Sequence, residues 1–255
     1  MESQIAFLAA KLLSSPEVES TTDSAIDIGI NGYYSYTVFG QTFWLTNTHI
    51  GVLLVMVLLI VFAIFANRAI KKANPTRPPG MFLNVVELLV EKVDELTRTS
   101  MGEKHGWKFS NYIGTLFAFI LIANISGLVG LRSPTADYGV TLSLGLITFF
   151  LIHYNGFKYQ KFGHITGLFK PLPFLFPINL IGEIATPLSL SLRLFGNVLS
   201  GTVMLGLIYG LVPVVGTLLW PAALHAYFDL FSGAIQAYVF CMLTMVFISQ
   251  TFDSE

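Results

Sequence analysis

From Ile184 to Phe228 the chain runs 45 residues with a single charged side chain, Arg193. Inside a bilayer every backbone N–H and C=O must find its partner within the protein, and a long unbroken apolar run meets that demand as a helix. Four more apolar runs accompany this one, in a chain of 255 residues that is 54% hydrophobic and 11% charged. Globular domains carry about 25% charged residues. The fold class is therefore an all-α polytopic membrane protein, with about five membrane-embedded helices and one amphipathic interfacial helix. A net charge of −1 gives no footing for nucleic acid. The single Cys241 lies in an apolar run, so there is no disulfide framework. No secretory signal is read at the start.

Ile50 to Ala66 is uncharged and followed by Arg68, Lys71 and Lys72, which marks a first span. Asn74-Pro-Thr-Arg-Pro-Pro-Gly80 breaks the chain. From Met81 to Ser100, Phe82, Val85, Leu89, Val93 and Leu96 recur at helical spacing between Glu87, Glu91, Lys92, Asp94 and Glu95. That pattern predicts an amphipathic helix along the membrane surface, over residues 81–100, with a solvated hairpin arm as the plainer alternative. Tyr112 to Leu131 and Tyr138 to Phe157 are the second and third spans, with His153 an interfacial histidine near the end of the third. Residues 171–252 hold the last two helices, separated by a turn region around Pro213 and Pro221. Residues 177–209 as one helix would run about 50 Å, against a hydrocarbon core of about 30 Å. The last two helices must therefore be steeply inclined or kinked, and Pro187 is a candidate kink.

Basic residues set the orientation. Residues 1–46 and the 132–137 loop contain Lys11 and Arg132, whereas Arg68 to Lys108 contains eight basic residues and Lys158 to Lys170 three. The N-terminus is expected outside, its mildly acidic stretch ending in an aromatic interfacial patch around Tyr33, Tyr36 and Trp44, and the C-terminus inside. The whole chain, 1–255, is expected to be one membrane domain.

Arg193 costs a few kcal/mol at membrane depth, roughly 3 on insertion scales. It cannot lose its proton to escape that cost. At 100° per residue Gly182, Thr186, Ser189, Asn197, Ser200 and Met204 share its face. Small residues favour close helix packing, but an arginine does not; a smooth surface with one fixed cation suits a partner that moves past it. Glu183 lies about 15 Å away along the axis, and Thr202 about 13 Å the other way on the opposite face. His225, Asp229, Ser232, Gly233 and Gln236 form a stripe on the last helix. Gln236 is placed to bond Arg193, and Asp229 to relay a proton or cation, with a plain ion pair to Arg193 as the alternative. His225 has an interfacial alternative, and Asn124 and Ser126 read as helix-packing residues.

The run Pro187-Leu-Ser-Leu-Ser-Leu-Arg-Leu-Phe-Gly-Asn197, followed by Gly201, resembles the signature of subunit a of F-type ATP synthases, and Gln236 to Phe247 resembles that family's C-terminal helix. The resemblance covers nearly the whole chain. It implies that Arg193 is the family's essential arginine, facing the ring of c subunits, with Asn197 and Gln236 as polar neighbours. Asp229 falls where members line the outer half-channel with His, Glu or Asp. Glu183 falls where several place an acid in the cytoplasmic half-channel. Thr202 falls where many bacterial members carry an acid that this chain lacks. Ser189 and His225 complete the expected proton path. The implied role is a stator subunit of the Fo sector that couples proton flow to ring rotation. It performs no ATP chemistry and needs no cofactor or metal. Its implied partners are the c ring, the b-subunit peripheral stalk, other ATP synthase subunits and the bilayer. A bacterial plasma membrane is the expected location, with an organelle energy-transducing membrane as the alternative. Two rival classes are a stand-alone secondary transporter, for which no inverted repeat is visible, and a scaffold in which Arg193 tolerates neutral replacement.

Overall fold

Five helices are long and apolar enough to cross a membrane: Asn47–Lys72, Glu103–Leu128, Tyr138–Gln160, Phe176–Ile208 and Ala223–Ser249. They are seen in a computed structural model that describes residues 32–38, 41–73, 80–129, 132–167, 169, 173–211 and 220–252. The acidic stretch before residue 28, the break at 74–79 and the Pro213 turn lie outside the described residues. Ahead of the first helix, β1 (Gly32–Val38) pairs antiparallel with β2 (Gln41–Thr46), Val38 opposite Gln41.

The first span, α1 (Asn47–Lys72), ends with Lys71 and Lys72, where cations favour the helix dipole. Its buried residues are Thr48, Val55 and Ala66, and Leu53, Ile60 and Phe65 stand exposed, as suits a peripheral helix in lipid. The amphipathic segment is α2 (Met81–Met101), which folds back on α3 (Glu103–Ile125) through Gly102, whose φ is 79°. Ser110 donates to the Asp94 carboxylate, and the Arg98 guanidinium lies 4.4 Å over the Trp107 ring. The segment is amphipathic, as expected, and packs along α3. It is a packed hairpin arm, and it leaves Phe82, Leu88 and Leu89 uncovered. On its open side Lys92 donates to Glu95 at 2.7 Å. That bond, and then the attraction of the two charges, raises the lysine pKa and lowers the carboxyl pKa. Both groups are fully exposed, so the pair contributes little to stability.

The second span begins nine residues before the expected Tyr112, because Glu103, Lys104 and Lys108 occupy the first turns of the same helix. It ends in a 3-10 turn at Ser126–Val129. The Asp137 carboxylate caps α4 (Tyr138–Gln160), accepting from the Gly139 N–H at 2.9 Å. A short α5 (Phe162–Gly167) precedes α6 (Phe176–Leu211), 36 residues with Pro187 inside. At 1.5 Å per residue α6 runs about 54 Å. A straight crossing of a core about 30 Å thick therefore requires a steep incline.

Helices α4 and α6 run antiparallel: Tyr138 meets Phe195 at 5.6 Å between ring centres, and His153 meets Glu183 at 2.7 Å. Gly145 makes this possible. A Cβ there would come within 2.8 Å of the Pro187 carbonyl oxygen, so any side chain would push the helices apart. The last span starts as α7 (Trp220–His225), with Pro221 in its first turn, where a missing N–H does no harm. A seven-residue π-helix, Ala226–Ser232, follows and leads into α8 (Gly233–Ser249). Helix α8 is the centre of the core, its Ala237, Phe240, Cys241, Met245 and Ile248 packing on Ile113, Leu116 and Ile120 of α3 and on Leu190 and Leu194 of α6.

Candidate functional site

Burial of Pro187, Leu190, Ser191, Leu194, Gly201 and Leu205 fixes which way α6 faces. The opposite side presents Gly182, Ser189, Arg193, Asn197, Ser200 and Met204, all exposed, and half-buried Thr186 adjoins them. The stripe expected around Arg193 is therefore on the open face, beside exposed Leu188, Leu192, Met204 and Leu207. Among the described residues Arg193 has no hydrogen bond or ion pair. A permanent cation on so apolar a face is costly at membrane depth.

Neither expected partner meets Arg193. Gln236 instead accepts a hydrogen bond from the Asn197 amide, one turn further along α6. Its own side-chain N–H donors are buried without a partner among the described residues. Asp229 is taken by His225, Nδ1 to Oδ2 at 2.7 Å. The Asp229 carboxyl packs on Gly127, where a Cβ would come within 3.3 Å of it, so the 3-10 turn after α3 carries a glycine at that point. The hydrogen-bond web beside it is structural. Asn124 donates to the Gly233 carbonyl oxygen at 3.0 Å and accepts from Thr135 at 2.6 Å, and Ser126 donates to Ala123. This fastens the turn region to the start of α8, the packing role expected for Asn124 and Ser126.

The stripe drawn through His225, Asp229 and Gln236 at 3.6 residues per turn is corrected by the π-helix. A wider turn rotates less per residue, so Asp229 faces Gly127 while Gln236 is buried against α6. Thr202 keeps to itself: its hydroxyl donates to the Val198 carbonyl oxygen at 2.9 Å. Its neighbour Gly201 packs against Phe228, 3.5 Å from a would-be Cβ.

At the other end of α6, Glu183 Oε2 lies 2.7 Å from His153 Nε2. Pro187 has no N–H, so the Glu183 carbonyl also lacks its helical donor. Both polar features border a cavity of 690 Å³ between α4, α6 and the end of α8, lined also by Asn179, Thr186 and Gln250. A water needs about 10–15 Å³ by the same measure. His153 is thus not a lone interfacial histidine. The signal that points to it is Glu183 itself, since a carboxylate within a span requires a partner in a neighbouring one.

The order along α6 follows from these contacts. Glu183 with His153 comes first, then Arg193 about 15 Å further. After it come the Asn197–Gln236 crossing and the Gly201–Phe228 contact beside Asp229. Two histidine–carboxylate pairs therefore stand toward opposite ends of the molecule, with one exposed cation at an intermediate level.

A family model described as ATP synthase A chain matches residues 49–249. A relative from Propionigenium modestum, described as ATP synthase subunit a, sodium ion specific, is 40% identical over 237 residues, covering 86% of this chain and 75% of its own. The ATP synthase subunit a of Anoxybacillus flavithermus is 34% identical over 233 residues, covering 84% and 94%. That of Mycoplasmoides gallisepticum is 34% identical over 228 residues, covering 79% and 76%.

Proposed function

This chain belongs to the ATP synthase subunit a family, and from that premise we propose that it is the stator of the Fo sector, carrying protons to and from a ring of c subunits through two offset half-channels that Arg193 keeps apart. The observation that carries the reading is Arg193 itself, exposed on an apolar helix face at a level between the two histidine–carboxylate pairs. The ring is the partner that covers that face. Small residues on either side let its helices slide past.

A proton crossing the membrane releases about 2.3 kcal/mol per 100 mV. That energy reaches the ring only if the two half-channels do not connect. The guanidinium repels a proton hopping directly between them, and it draws the proton off each ring carboxylate that arrives beside it. Lysine is a weaker substitute, because it can shed its proton when buried and lacks the planar fork. Glu183 and His153 serve the half-channel near the basic loops, which the positive-inside rule places toward the cytoplasm. Asp229 with His225 serves the outer one, in the absence of an acid at Thr202. Asn197 and Gln236 bridge α6 and α8 next to Arg193, and Ser189 extends the polar face toward Glu183. The b-subunit stalk holds the chain against the torque, in a bacterial plasma membrane. Proton or sodium is chosen by the ring carboxylate site.

ATP-driven proton pumping in inverted vesicles, with the complex shown to be assembled, tests this reading. Arg193→Ala should abolish pumping, and Arg193→Lys should leave little of it. Pumping at the wild-type rate in Arg193→Ala would overturn the assignment.

A further inference from the structure

The His153–Glu183 pair lies in a cavity, not in a packed core, and its geometry limits how many protons it can hold. The Nδ1 atom of His153 is 3.0 Å from the Phe149 carbonyl oxygen. A carbonyl only accepts, so Nδ1 carries a proton. Nε2 is then either a second donor or a bare lone pair. At 2.7 Å from Glu183 Oε2 two bare lone pairs would repel, so one proton lies between the nitrogen and the oxygen. Whether it rests on Nε2 or on Oε2, the pair is neutral overall. A neutral pair suits these half-buried side chains, because an isolated carboxylate withdrawn from part of its water would be costly.

Among the described residues that line the cavity, His153 and Glu183 are the ionisable ones; its other polar groups are amides and hydroxyls. On α4, Tyr154 is 64% exposed and the Lys158 ammonium lies 5.9 Å over its ring. The charge that α6 adds is Arg193, on its open face. From α8 come only Tyr238, which is exposed, and Cys241, which is buried against the Ile113 carbonyl.

We propose that His153 is a proton-carrying residue of this half-channel, acting with Glu183 as a one-proton store between the cavity and the Arg193 level. The inference rests on the half-channel reading above. In the direction of ATP synthesis a proton released near Arg193 arrives on the free oxygen of Glu183. The pair then holds two protons and a net charge of +1. His153 passes one proton from Nε2 to water in the cavity, and the neutral one-proton state returns. Pumping runs the same steps backwards. The carboxylate is never left as a bare charge.

The test uses passive proton conduction through the Fo sector of the assembled complex, together with ATP-driven pumping. His153→Gln can keep a hydrogen bond to Glu183 but cannot carry a proton. It should slow conduction by about tenfold or more. The Glu183→Gln variant should resemble it, and the double variant should be no slower than either single one, because the pair acts as a unit. In His153→Ala, millimolar imidazole entering the cavity should restore conduction, normalised to assembled complex; a purely structural histidine would not respond. Wild-type conduction in His153→Gln overturns the proposal, as does His153→Ala that is slow and indifferent to imidazole. Arg193→Ala, run alongside, separates the two claims. If it abolishes pumping while His153→Gln conducts normally, only this inference fails; if Arg193→Ala pumps normally, the half-channel reading fails and this inference with it.

Discussion

Arg193 is exposed because its helix neighbours at 190, 191 and 194 are all buried, which leaves the guanidinium no way to turn but outward. That placement was legible in the sequence, since α6 keeps a regular turn across Gly182 to Met204 and its small and polar residues recur with the period of the helix. The partners of the ionisable residues were not. His153 with Glu183 and Asn197 with Gln236 are tertiary contacts between segments that periodicity treats one at a time. The polar web at Asn124 gives a residue-scale prediction. Asn124→Leu removes the donor to Gly233 and the acceptor for Thr135. It should lower stability by about 1–3 kcal/mol, seen as a lower melting temperature of the detergent-solubilised complex. An unchanged melting temperature would show that this web is not what fastens the turn to α8.

At the scale of elements, the five spans and the amphipathic helix follow from hydropathy, but three local features do not. Helix α3 starts nine residues early, because a helix does not stop where its charges begin. The β1–β2 hairpin depends on backbone pairing in a stretch whose composition marks only an aromatic patch. The π-helix at Ala226–Ser232 has no sequence period of its own, and its wider turn changes the angle between Asp229 and Gln236. Glycine positions separate two kinds of small residue on α4 and α6. Gly145→Val places a Cβ against the Pro187 carbonyl. The overpacking should cost about 1–3 kcal/mol and reduce the amount of assembled complex. Gly182 has nothing within 4 Å of a would-be Cβ, so Gly182→Ala should leave the amount of the chain in the membrane unchanged. Equal expression of the two variants would contradict the tight α4–α6 seam.

Across the whole molecule, α4 and α8 both run antiparallel to α6, and this carries one histidine–carboxylate pair toward each end of the molecule. The central claim is that these ends open to opposite sides of the membrane, with Arg193 between them. Single cysteines at Thr186, beside the Glu183 cavity, and at Ser232, beside Asp229, test it directly in the assembled complex with Cys241 replaced. A charged, membrane-impermeant thiol reagent applied to one side at a time reads the access. The account predicts that Thr186→Cys reacts only from the cytoplasmic side and Ser232→Cys only from the outside. Reaction of both from the same side would contradict it.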